Sequence, residues 1–287
     1  MRYKNSAILG ISLFLCALPA ALAADQPAPS TKILDMAERQ VTAYLAKLAD
    51  VHCTESVVQE KLSEKGHVEA AERAKYDYLI MMSGNGDDFQ LNESRIESSA
   101  SHKKALPMLV TNGAATMLLV FHPYYHNSFT FTIEPEAALD GRPAIPVHFA
   151  HIHGRRTPAA LALGGREYPL ELEGTAWLEP HTGEVLKIDA SLQRDMSDLG
   201  LSSMHVVVDY KPVTLAKSDA SIDMPATAMV DVKTPLQHWR NTHTFDDYKS
   251  FSTDAEQDPG VTIHAQNSDA PRDTTAAVAS VNSKEKP

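Results

Sequence analysis

The chain has 287 residues, a hydrophobic share of 43% and a formal net charge of −11. That acidic balance argues against nucleic acid or an anionic membrane surface as a partner. The hydrophobic share is that of an ordinary globular domain rather than of a disordered or membrane-embedded chain.

The first segment, MRYKNSAILGISLFLCALPAALA, has the three parts of a secretory signal peptide. Arg2 and Lys4 give a positive start, Ala7 to Leu18 an apolar run, and Ala21-Leu22-Ala23 a small-x-small cleavage site. The run is broken by Pro19 and is shorter than the about 20 apolar residues of a spanning helix. Residues 1–23 are therefore expected to be removed, leaving no transmembrane segment and a periplasmic or secreted protein. Cys16 follows Leu15 rather than the small residue that lipid attachment requires, so it belongs to the discarded apolar run. Only Cys53 then remains, no internal disulfide can form, and stability must come from a hydrophobic core. Cys53 is expected within that core.

Residues 24–30 read as a short linker, and one domain is expected over 31–251. Ser30 or Thr31 can cap a helix to about Ala49, because Ile33, Leu34, Ala37, Val41, Tyr44, Leu45 and Leu48 recur at helical spacing. The period then drops to two over Val51 to Leu62, and again at Tyr76, Tyr78, Ile80 and Met82. Gly84-Asn85-Gly86-Asp87 marks a hairpin turn, with Phe89 and Leu91 on the returning strand. NGAATMLLVF (112–121) predicts a short apolar helix capped by Thr111 or Asn112, with Pro123 beyond its end. Strands follow over Ser128 to Glu134 and Ala144 to Ile152. A hairpin joins Tyr168–Leu178 to Glu184–Leu192 through His181-Thr182-Gly183. The remaining strands are Met204 to Leu215, Ser221 to Val232 and Trp239 to Phe251. Pro225 makes the penultimate one an edge or interrupted strand. Residues 252–287, rich in Asp, Ser, Thr, Ala and Pro, read as a disordered tail.

No catalytic pattern is present. HPYYH (122–126) has the i, i+4 histidine spacing of a zinc site, but proline replaces the glutamate beside the first histidine. His151 and His153 fall on one strand face and His148 on the other, and no third ligand has matching spacing. There is no G-x-S-x-G elbow and no phosphate-binding glycine loop. Asp87-Asp88 and Asp246-Asp247 are neighbours that point to opposite strand faces, which is unsuited to sharing a proton. The chain is thus expected to be no enzyme and to hold no metal or cofactor.

One helix followed by an antiparallel meander predicts an α+β, mainly β fold: a strongly curved sheet, an unclosed half-barrel, wrapped around the N-terminal helix. Such a sheet can leave an apolar groove, with Tyr78, Ile80, Met82, Met117, Phe121, Phe129 and Phe131 as its expected lining. The segments GAATMLLVF, LDGRPAIPVHFAHI, GTAWLEPHTGEVLKI, VVVDYKPVTL and HTFDDYKSF together resemble a family of uncharacterised secreted bacterial proteins. In fold, that family is similar to the LolA/LolB type of lipoprotein carrier. The resemblance implies an envelope protein that binds lipid or lipoprotein acyl chains on the concave face of its sheet. The alternative is a structural or protein-interaction module of the envelope without a small-molecule ligand. A metal-dependent enzyme using His151, His153 and a ligand from the His122/His126 segment stands outside both.

Overall fold

A computed structural model describes residues 29–48, 51–83, 90–98, 109–163, 165–215, 221–250 and 277–281. The expected signal peptide over 1–23, the expected turn at 84–87, Phe89 and Phe251 lie outside the described residues.

α1 (Pro29–Leu48) turns one stripe inward: Ile33, Ala37, Val41, Tyr44 and Leu45 are buried, while Lys32, Asp35, Arg39 and Lys47 are exposed. It begins inside the stretch read from sequence as the 24–30 linker. Long strands follow, β1 (Val51–Leu62), β2 (Val68–Ser83) and β3 (Gln90–Glu97). After the crossing segment described below come β4 (Phe129–Ile133), β5 (Ala137–Leu139) and β6 (Arg142–His151). Then come β7 (Ala160–Leu163), β8 (Arg166–Pro169), β9 (Leu172–Leu178) and β10 (Val185–Leu192). β11 (Ser203–Thr214), β12 (Ser221–Lys233) and β13 (His238–Ser250) complete the main body.

Eleven strands form one sheet in the order β3-β2-β1-β13-β12-β11-β10-β9-β6-β4, with β5 added to β6. Every neighbouring pair in it is antiparallel. β3 and β4 stand at its two ends and do not pair with each other. The sheet is therefore an unclosed half-barrel, as the sequence pattern predicts. Period-two burial turns one set of side chains inward, including Met204, Val206, Val208 and Tyr210 on β11 and Trp239, Asn241, His243 and Phe245 on β13.

This order imposes a crossing. β3 and β4 are consecutive strands of the sheet at opposite ends of it, so the chain between them must traverse a face. It does so with the 3-10 helix Ala114–Phe121, all eight residues of which are buried. This plug packs against α1, β10, β11 and β12. α1 and the plug fill the concave side together, and with the inward strand residues they form one hydrophobic core.

Two glycines permit this packing. Gly174 on β9 faces Ala190 on β10 and Phe149 on β6. A Cβ there would collide with the Asp189 carbonyl oxygen, so the strands approach more closely than a side chain would allow. Gly183, in the β9–β10 turn, has φ +79 and lies against α1, where a Cβ would come within 2.7 Å of the Ala37 nitrogen. Gly183→Ala is expected to cost about 1–3 kcal/mol through overpacking and a strained backbone. Urea unfolding checks it; an unchanged midpoint would show that α1 does not rest on this turn.

Several expectations are corrected. The 112–121 helix is a 3-10 helix starting at Ala114, and Gly113 with φ 74 precedes it without any side-chain cap. Thr111 and Asn112 do not cap it; their side chains bind His243 and Arg95 instead. Pro123 does lie beyond the end of that helix, at Phe121, and it opens a second, unexpected one, α2 (Pro123–His126), capped by His122. The strand expected over Tyr168 to Leu178 is two strands, β8 and β9, and the β7–β8 hairpin was not foreseen. Within the expected structureless tail, β14 (Ala277–Val281) pairs in parallel with β7 in a separate three-stranded sheet.

Candidate functional site

The residues expected to line an apolar groove are instead packed. Tyr78, Ile80, Met117, Phe121 and Phe129 are all at most 5% exposed and belong to the core. Phe131 is partly buried against it, stacked on Phe121 with ring centres 5.4 Å apart. Phe129 meets Phe149 edge-on at 6.0 Å. Met82 lies on β2 opposite Leu91, and its side chain is outside the described residues. None of the six described side chains lines a described cavity. Their alternation correctly marks them as inward; aromatic volume then fills the space between them.

Beside this apolar mass lies a polar network that the sequence reading missed. Glu55, Asn241 and His243 are fully buried on the concave face of β1 and β13. Arg95, from β3, grips Glu55 with two bonds, Nε to Oε2 at 2.5 Å and Nη2 to Oε1 at 2.7 Å. His243 Nδ1 is 2.7 Å from Glu55 Oε1, and its Nε2 is 2.7 Å from the Thr111 hydroxyl. A neutral imidazole satisfies both contacts, donating from Nδ1 and accepting at Nε2. Arg95 also donates to the Thr111 carbonyl and the Asn112 side chain. Asn241 and Gln59 both donate to the Leu109 carbonyl, each at 2.7 Å. Glu93 accepts from the Gly113 N–H at 2.9 Å and from the Tyr78 hydroxyl at 2.5 Å. Every one of these bonds ends on residues 109–113 or on a group that bonds to them. The network is a latch that fastens the start of the plug to three strands. Burial alone would raise the Glu55 pKa; the His243 hydrogen bond and the Arg95 charge outweigh it and hold the carboxyl below its ordinary value. The sequence did carry a signal, since Glu55 and His243 occupy inward positions of well-alternating strands.

Cys53 is buried as expected. Burial first, then the Glu55 charge, pushes its thiol up to about 12, so it stays protonated and unreactive.

Among the described residues, cavities border this filled interior. One of about 210 Å³ lies between α1 and the sheet, partly open to solvent. Val41, Ala43, Leu118, Val185 and Ile222 supply its apolar wall, with Tyr44, Asp223, Glu184, Gln40 and Lys47 as polar neighbours. A cleft of about 790 Å³ lies at the end of β6, β9 and β10 and includes both His151 and His153. There Glu171 accepts from Arg194 and contacts His153 Nδ1 at 2.5 Å. His151 is buried, its Nε2 3.2 Å from the Arg156 carbonyl oxygen. A third, of about 80 Å³, is walled mainly by leucines, among them Leu109, Leu161 and Leu201. His126 lies elsewhere, 3.6 Å from Glu38 of α1. Among the described residues, no three His, Cys, Asp or Glu side chains are grouped to hold a metal, and no helix is long and apolar enough to cross a membrane.

No family model matches the chain, and no curated protein matches it in sequence. Solved structures do. A DUF1329 family protein from Desulfovibrio piger is 11% identical with a TM-score of 0.43, covering 82% of this chain and 95% of its own. An outer membrane lipoprotein-sorting protein domain from Vibrio parahaemolyticus is 9% identical with a TM-score of 0.42, covering 80% of this chain and 95% of its own. A LolA superfamily protein from Nitrosomonas europaea is 9% identical with a TM-score of 0.37 and covers 77% and 93%.

Proposed function

We propose that this is an exported cell-envelope protein without catalytic activity that binds acyl chains of lipid or lipoprotein on the concave side of its half-barrel, beneath α1. The observation that carries the reading is the cavity of about 210 Å³ between α1 and the sheet. Its lining combines aliphatic side chains with polar ones, which suits a ligand with an apolar body and a polar end. α1, which covers it, is joined to the sheet and to the plug by side-chain packing rather than by strand pairing.

Acyl capture by burial has a quantitative signature. Each methylene removed from water contributes about 0.8 kcal/mol, so each should tighten binding by up to about fourfold until the cavity is full. Calorimetric titration of the delipidated protein with alkyl ligands of increasing length is expected to show this progression and then a plateau. Ala43→Trp, at an exposed position on the cavity wall, should weaken every member of the series. Affinity independent of chain length, or untouched by the tryptophan, would refute the reading. Recovery of one protein partner in stoichiometric amount by a chain that binds no alkyl ligand would favour the interaction module instead.

A further inference from the structure

The cavity under α1 contains more than an apolar wall. Asp223, near the start of β12, is 8% exposed and lines it. One carboxylate oxygen, Oδ2, lies 3.5 Å from the guanidinium of Arg142, which is itself about half exposed. The other, Oδ1, is buried and has no hydrogen-bond partner. Tyr44, from α1, lines the same cavity, and its hydroxyl is also buried and unpartnered. Buried polar atoms are paired in almost all cases, so an unpaired carboxylate oxygen on a residue that lines a cavity calls for a cause. An ionised carboxylate can only accept, so Oδ1 calls for a donor. Burial, partly offset by Arg142, raises the Asp223 pKa.

Resting on the acyl-binding reading, we infer that this cavity recognises the head of its ligand through an N–H donor placed on Asp223 Oδ1, with the apolar body lying along Val41, Leu118, Val185 and Ile222. The volume of about 210 Å³ equals the share of roughly seven water molecules, so it admits the head and the first few methylenes of a chain. Two chemical sources present such a head: the ammonium of an aminolipid and the amide of an N-acylated chain. An ionised fatty acid presents only acceptors and would face Asp223 with like charge.

The test uses three six-carbon probes, hexylamine, N-hexylacetamide and hexanoate, titrated calorimetrically into the full mature protein and its Asp223→Asn variant. Hexylamine, N-hexylacetamide or both should bind at least about tenfold more tightly than hexanoate, the size of one hydrogen bond to a charged acceptor. Preference for hexylamine assigns an ammonium head, and preference for the neutral amide assigns an N-acyl head. In Asp223→Asn that discrimination should fall to within about threefold. Because asparagine keeps the volume and removes a poorly solvated charge, the variant should melt no lower than the wild type. Hexanoate binding as well as the N–H probes, or discrimination that survives the substitution, would overturn the head-group assignment while leaving acyl capture intact. Failure of all three probes to bind, together with no dependence on alkyl length in longer ligands, would remove the acyl-binding reading and this inference with it.

Discussion

Replacing Arg95 by methionine is expected to destabilise the domain by about 3–5 kcal/mol, the cost of leaving a buried carboxylate without its partner. Glu55 is fully buried, and Arg95 grips it with two charge-assisted hydrogen bonds. The same substitution removes the donors to Thr111 and Asn112, so the plug loses part of its fastening. In urea the midpoint should fall with little change in slope. Two further measurements separate a lost charge partner from simple loss of packing. Adding Glu55→Gln to the variant should recover part of the deficit, because the uncompensated charge is then gone. The difference between wild type and variant should also shrink on acidification. The folded wild type holds Glu55 below its ordinary pKa, so this stabilisation is complete above the ordinary value of 4.5 and is lost as pH falls through the folded-state value. In the variant the buried charge is unfavourable, and its protonation is a relief. A deficit that stays constant with pH and is not reduced in the double variant would mean that the latch is not an electrostatic device.

The architecture was legible in the sequence where alternation was unambiguous. β1 and β10 follow their apolar periods almost to the residue, because a strand with one wet face must alternate. The plug was less legible. AATMLLVF is apolar on every side, so no period distinguishes an α-helix from a 3-10 helix, and the positive φ of Gly113 sets where it begins. The β7–β8 hairpin was merged or missed because its strands have only four residues each. The site was legible only in part. Inward residues could be named, but alternation cannot say whether space remains between them; that depends on how Phe121, Phe129, Phe131 and Phe149 interlock. Glu55 and His243 reveal themselves only as polar residues in inward positions, and their partner Arg95 is distant in sequence. The cavity that does exist is bounded by α1 and by residues of β10 and β12 that no local pattern connects.

The plug itself supplies a decisive test of whether the concave side can host an apolar ligand. Phe121, its last residue, is 1% exposed and stacks on Phe131. Phe121→Ala is expected to cost about 3–5 kcal/mol, combining lost transfer energy with a cavity that the half-barrel cannot fully collapse. A dry cavity lined by apolar groups accepts small apolar ligands, and the site lies on the same concave side as the proposed acyl site. An alkyl ligand that enters it binds the folded state alone and should restore about 2.7 kcal/mol at a hundred times its dissociation constant. The predicted result is therefore a variant with a strongly lowered melting temperature that rises again with alkyl ligand, by more than the wild type gains at the same concentration. A large loss without ligand rescue would show that the interior collapses around the missing ring. In that case the filled aromatic core acts as a rigid wall, and any acyl chain must be confined to the space under α1. A loss below about 1 kcal/mol would be too small for a buried phenylalanine, and the plug could not then be a structural member of the core.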